Sequence, residues 1–199
     1  MIEVEKKFIL NEDDKKRILT DSIFLNERVF TDIYYDTKLF TLTSQDKWLR
    51  SRDGKFELKL PLHSGSDRIT DQYDELDDDK KISLALDLPF DVNLIDELTR
   101  AGYSPFCTCT TTRRKYKRGE FIIDIDTVTF QDFVYHIGEI ELMIYKKSEI
   151  NDAVQKIMDF AKSQNLTIAP VRGKVIEYLK RANQKHYQSL VQAKVVKDF

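Results

Sequence analysis

Charged residues recur at every second position through segment after segment of this chain, with apolar residues between them. Glu3, Glu5 and Lys7 alternate with Ile2, Val4 and Phe8, and Arg50 and Arg52 follow Trp48 around Leu49. Glu57 and Lys59 alternate with Phe56, Leu58 and Leu60. Asp124 and Asp126 alternate with Ile123 and Ile125, and Glu139 and Glu141 with Ile140 and Leu142. Tyr73 and Glu75, and Arg113 and Lys115, keep the same spacing. Side chains at i and i+2 share one face of a strand, so the pattern demands strands with one apolar and one charged face.

The predicted strands are Ile2–Leu10, Val29–Asp36, Lys47–Ser51, Lys55–Pro61, Ile69–Asp74, Phe106–Lys117, Glu120–Val128 and Val134–Ile144. Asp53-Gly54 reads as a hairpin turn and Arg118-Gly119 as a weaker one. Helices are predicted over Asn11–Leu19, Asp91–Ala101, Ser148–Lys162, Lys174–Ala182 and Gln184–Asp198, with the last dozen residues fraying. The acidic Asp77–Asp79 run before Lys80-Lys81 reads as a solvated turn. Strands joined mostly by turns, with helices between and after them, define an α+β class. Its expected form is a closed or nearly closed antiparallel sheet of about eight strands with flanking helices. At 199 residues, the whole of 1–199 is expected to form one domain.

Two readings of the charged faces stand side by side. One is a sheet with a dry face and a solvated face. The other starts from the signs: acids pair at i, i+2 on several strands and bases pair on another, although like charges in proximity are unfavourable. Clustered carboxylates call for a cation and clustered arginines for an anion. Oxygen ligands without Cys or His suit a hard ion such as Mg²⁺ or Mn²⁺, and arginine forks suit phosphate. A barrel interior lined by both would hold a metal–polyphosphate complex.

Composition narrows the partners. With 32 Lys+Arg against 34 Asp+Glu, the net charge of −2 lacks the basic excess of a nucleic-acid-binding domain. No apolar run reaches the ~18 residues of a membrane span. Met1–Leu10 is too charged for a signal peptide, so a cytoplasmic protein is expected. A monomer is expected, with a dimer as the alternative.

The ordered motifs also carry a family likeness. Glu3-Val4-Glu5-Lys6-Lys7 resembles the E-x-E-x-K motif of the CYTH superfamily, the triphosphate tunnel metalloenzymes. Tyr34-Tyr35-Asp36-Thr37, Trp48-Leu49-Arg50-Ser51-Arg52, Glu57-Leu58-Lys59 and Tyr73-Asp74-Glu75-Leu76 follow in the family's order. Arg113 with Tyr116, Asp124-Ile125-Asp126, Gly138-Glu139-Ile140-Glu141 and Lys174 complete the set. Ile2–Phe8, Asp46–Arg52 and Lys174–Leu179 are most similar to its thiamine triphosphatase branch.

The resemblance implies an α+β fold, an eight-stranded antiparallel β-barrel or tunnel with flanking helices, that binds a linear triphosphate and hydrolyses it with Mg²⁺ or Mn²⁺. By position it implies metal ligation by Glu3, Glu5, Asp124, Glu139 and Glu141. Phosphate binding falls to Lys7, Arg50, Arg52, Lys59, Arg113 and Lys174. Glu3, Glu5, Lys59, Glu139 and Glu141 form the catalytic set, and Asp126 orders a water or a substrate group. Trp48 is read either as packing or, by its parity with Arg50 and Arg52, as a stacking platform for thiamine at the tunnel mouth. Thiamine triphosphate is the first substrate expected. Inorganic tripolyphosphate, another organic triphosphate, adenylate cyclase chemistry and a non-catalytic polyphosphate-binding module are the alternatives.

The chain departs from the family at Thr111, where a lysine is usual; Arg114 and Lys115 are the candidates to replace its charge. Gly138 is read as a turn, and the Leu62–Asp71 loop is shorter than in the animal enzymes. His63, His136 and His186 are read as surface or packing residues, and Phe30, Phe121 and Phe133 as core or barrel-exterior packing. Cys107-x-Cys109 has no second pair and is set aside as a metal site.

Overall fold

The computed structural model describes residues 2–63 and 70–198. Its strands are β1 (Ile2–Phe8), β2 (Ile23–Asp36), β3 (Trp48–Arg52), β4 (Lys55–Pro61), β5 (Asp71–Leu76), β6 (Ser104–Arg118), β7 (Phe121–Thr129) and β8 (Val134–Ile144). They close into an antiparallel barrel in the order β1-β5-β4-β3-β2-β6-β7-β8. Helices α1 (Glu12–Leu19), α2 (Asp79–Ala85), α3 (Leu94–Arg100), α4 (Ile150–Ser163), α5 (Lys174–Ala182) and α6 (Gln184–Gln192) surround it.

The apolar faces of the strands point outward, under the helices. Val4, Leu49, Leu58, Ile123 and Ile140 are at most 1% exposed. One outer cluster joins β1, β7 and β8 to α4 through Ala153, Ile157 and Ala161. A second joins Leu49, Phe56 and Leu58 to Ile82 of α2 and to Leu94 and Leu98 of α3. A third joins Tyr34, Trp48 and Tyr73 to α5, α6, Val195 and Val196. The first two clusters therefore wrap the outside of the barrel, the third packs α5, α6 and the C-terminal residues against the inward-facing Tyr34, Trp48 and Tyr73, and the charged faces line the rest of the inside.

Local chemistry explains the element ends. Asn11 caps α1 reciprocally: its side chain accepts from the Asp14 N–H at 2.8 Å, and Asp14 accepts from the Asn11 N–H at 3.0 Å. Asp53 and Gly54 have φ of 50° and 88°, the left-handed pair that a two-residue hairpin requires.

Several boundaries differ from the sequence reading. β2 begins at Ile23 instead of Val29, because a register shift between Phe24 and Asn26 interrupts the alternation there. The expected solvated turn gives way to α2: the Asp78 side chain accepts from the Lys81 N–H at 2.9 Å and caps a helix anchored by the fully buried Ile82. α6 stops at Gln192, and Val195 and Val196 beyond it are buried instead of frayed. Gly138 is a mid-strand residue of β8; a Cβ there would lie 2.2 Å from Leu10 Cδ1, so the need is close packing and not a turn. Ile69, and most of the loop judged short, lie outside the described residues.

Candidate active site

The barrel encloses a cavity of about 830 Å³. Its walls come from the charged strand faces, and Ile168–Ile176 and Val195–Lys197 line it from the C-terminal part of the chain.

The acids gather on three neighbouring strands. Register sets Glu5 of β1 opposite Glu141 of β8, and Glu139 of β8 opposite Asp124 of β7. Carboxylate oxygens of Glu3, Glu5 and Glu141 lie within 4.8 Å of one another, as do those of Asp124, Glu139 and Glu141. Glu141 belongs to both groups. All five acids singled out in the sequence as metal ligands are thus brought together. Like charges in direct opposition are unfavourable, and their cost appears in the proton affinities. Burial, with Glu3 and Asp124 alongside, holds Glu141 well above the usual carboxylate range. Burial, with Glu139 and Glu3 alongside, lifts Glu5 to about 7. Burial would raise Glu139 too, but Arg113 and Lys7 bring it down to about 2.

The donor set fits a hard divalent ion. It is all oxygen, anionic and in two overlapping groups. Asp124 Oδ1 is buried without a hydrogen-bond partner among the described residues, so it is available as a ligand atom.

The bases face these acids across the cavity and among them. Lys7 pairs with Glu5 and, at 2.6 Å, with Asp71, while Lys59 pairs with Glu3. Arg50 reaches Glu57 at 2.6 Å and Glu75 at 3.3 Å. Arg52 is held in bidentate fashion by Asp32, at 2.8 and 3.1 Å. Lys174, projecting from the first turn of α5, donates to Asp32 at 2.6 Å and to the Thr111 hydroxyl at 3.1 Å. Arg113 is gripped by Asp126 at 2.8 and 2.6 Å, and it also meets Glu139 at 2.9 Å and Asp124. Each base is therefore presented on a fixed carboxylate, in a largely buried wall where charge interactions are weakly screened.

Trp48 also lines the cavity, but it is only 9% exposed and shares a packed cluster with Val175, Leu179, Val195 and Val196. At its end of the tunnel the C-terminal residues Val195 and Val196 pack with it. Its indole N–H donates to Asp46 at 2.8 Å. The same carboxylate accepts the Tyr73 hydroxyl at 2.9 Å and lies 2.8 Å from His63 Nε2.

Two further sequence readings are corrected, and one residue of the site escaped the sequence reading. Arg114 points outward to Glu27 and is well exposed, so it cannot replace a charge inside; Lys115 points inward, 2.9 Å from Asp124. Phe30 is not on the barrel exterior. It is 5% exposed and lines the cavity beneath Arg52, Arg113 and Lys174. Asp32, fully buried beneath two of the bases, was not singled out at all. The signal for both was present, since Phe30, Asp32 and Tyr34 share the period-two parity of the charged strands.

A closed barrel whose inside holds these facing acids and bases forms a tunnel whose chemistry suits a polyanion and a hard cation. The CYTH domain family matches residues 1–167, and the chain belongs to that family. Lys174 lies beyond the matched part. Human thiamine-triphosphatase is 29% identical over 212 residues, covering 96% of this chain and 90% of the human protein. The Macaca fascicularis thiamine-triphosphatase is 28% identical with the same coverage. A Pyrococcus horikoshii OT3 protein superimposes with a TM-score of 0.62 at 22% identity, covering 90% of this chain and 99% of its own. A Hippeastrum protein described as having a dominant triphosphatase activity gives 0.53 at 15% identity, with 88% of this chain and 93% of its own covered. These structural likenesses establish the shared fold.

Proposed function

We propose that this protein hydrolyses the terminal phosphate from a linear triphosphate, with thiamine triphosphate as its organic substrate and Mg²⁺ as its ion. One observation carries the reading. Six bases that suit phosphate line one cavity with Glu3, Glu5, Glu139 and Glu141, and the fifth carboxylate that suits a hard ion, the buried Asp124, lies within 4.8 Å of Glu139 and Glu141. A pure anion-storage module needs the first set and not the second.

In this reading Lys7, Arg50, Arg52, Lys59, Arg113 and Lys174 take the phosphate oxygens. Lys7, Arg50 and Lys59 exchange part of their hold on Asp71, Glu57 and Glu3 for the ligand. Glu3, Glu5, Asp124, Glu139 and Glu141 hold the ion. Bound there, a divalent ion neutralises charge on the reacting phosphoryl oxygens and lowers the pKa of a water. Phosphoryl transfer proceeds through a loose, in-line transition state, so fixed positive charge along the phosphate chain supplies most of the rate. Asp32 and Asp126 contribute by fixing the Arg52 and Arg113 forks, so little reorganisation accompanies the reaction. No covalent nucleophile is required, and water is the attacking group.

The Trp48 ring, two residues from Arg50 on the same strand face, is the proposed stacking surface for the organic part. A second reading, inorganic tripolyphosphate as substrate, is favoured by the near-complete burial of Trp48. The test compares phosphate release from thiamine triphosphate, tripolyphosphate and ATP, each with Mg²⁺ and with EDTA. Wild type should prefer thiamine triphosphate and lose activity in EDTA. Trp48→Ala should lower activity on thiamine triphosphate by roughly 5- to 150-fold, from stacking of about 1–3 kcal/mol, and spare tripolyphosphate. Loss of both activities together makes Trp48 a packing residue. Release that is indifferent to EDTA contradicts the role of the acids.

A further inference from the structure

We propose that Phe30 is a positioning residue that holds Arg52, Lys174 and Arg113 in one converging grip for a phosphate group; the inference rests on the triphosphatase reading. The Arg52 guanidinium carbon lies 4.1 Å from the centroid of the Phe30 ring. The Lys174 ammonium lies at 5.3 Å and the Arg113 guanidinium carbon at 5.8 Å. All three fall within the ~6 Å range in which a cation is attracted to the electron-rich face of an aromatic ring.

These bases come from three separate elements, β3, α5 and β6, and meet at this one side chain. Like charges so gathered repel, and something must hold them. Asp32 secures Arg52 and Lys174, and Asp126 secures Arg113. A further carboxylate in place of the ring would hold the cations as well. It would also repel an incoming phosphate and occupy N–H donors that the phosphate needs. An aromatic ring attracts the cations through its quadrupole, adds no negative charge and consumes no donor. The site gains proximity of positive charge and keeps its hydrogen-bonding capacity for the ligand. Phe30 and Asp32 stand at i and i+2 on the inner face of β2, so ring and carboxylate serve the same cations from adjacent positions.

The test replaces Phe30 by mono-, di- and trifluorophenylalanine, which keep the ring's shape and drain its face of electron density. Affinity for inorganic tripolyphosphate is measured by calorimetry in EDTA, so no turnover intervenes, with a thermal melt to confirm folding. Affinity should fall stepwise with fluorination, by about 3- to 30-fold across the series, as cation–π attraction is withdrawn. Phe30→Leu should match the trifluoro protein, and Phe30→Tyr should restore most of the affinity. In turnover, KM for tripolyphosphate should rise by more than kcat falls. Affinity that does not change with fluorination overturns the inference and leaves the triphosphatase reading standing. A wild-type chain that fails to bind tripolyphosphate overturns the reading itself, and the inference with it.

Discussion

Acid should destabilise the fold through a single histidine of α6. His186 is fully buried. Its ring stacks on Phe40 at 3.9 Å with an interplanar angle of 11° and meets the edge of Phe106 at 4.7 Å. Nε2 lies 2.6 Å from the Thr43 hydroxyl, while Nδ1 has no hydrogen-bond partner among the described residues. Burial pushes its pKa down from 6.5 to about 4, against a small opposing pull from Asp36. The unfolded chain therefore binds a proton between pH 6.5 and 4 that the folded chain refuses, and stability falls as pH falls through that window. A depression of this size, at 1.36 kcal/mol per pKa unit, is worth about 3 kcal/mol in full and about 2 kcal/mol by pH 4.5. The assay is urea unfolding of wild type and His186→Gln at pH 7 and pH 4.5. Carboxylate titrations common to both chains cancel in the difference. The variant should gain about 2 kcal/mol on wild type over this interval. A difference that stays flat to within about 0.5 kcal/mol refutes the reasoning, because it means that the imidazole is hydrated or charged in the fold.

Other expectations follow from the tunnel. Glu141 serves both carboxylate groups, so Glu141→Gln should weaken Mg²⁺ binding, measured by calorimetry, at least about tenfold and more than Glu3→Gln does. Arg52→Lys cannot reproduce the fork on Asp32 and should lose roughly 10- to 100-fold in kcat/KM, whereas Arg114→Lys, outside the barrel, should lose nothing. Gly138→Ala forces a methyl against Leu10 and should cost about 1–3 kcal/mol in urea unfolding, with activity retained at low temperature.

The strand faces show how far sequence reaches. The parity of Glu3 with Glu5, of Arg50 with Arg52 and of Glu139 with Glu141 follows from backbone geometry alone, and the barrel keeps it. The ends of β8 and α5 fall where the alternation and the periodicity put them. Prediction failed where a side chain acts on its neighbours. Asp78 reads as one more charge in an acidic run until its carboxylate is seen to cap α2. Leu25 hides the start of β2 because a register shift breaks the alternation beside it.

Phe30 shows the other limit. Its type suggests packing, and only its face, on the same parity as Asp32, places it among cations. What the sequence determined by itself is which residues share a strand face, since that is a covalent property of an extended chain. Which face turns inward, and which strands lie side by side, is decided by closure of the barrel. Register in space sets Glu5 against Glu141 and Asp124 against Glu139. It also brings Lys174, from a helix beyond the barrel, onto Asp32. Those contacts span most of the chain, and their energies exist only after the outer apolar faces have been buried by the helices.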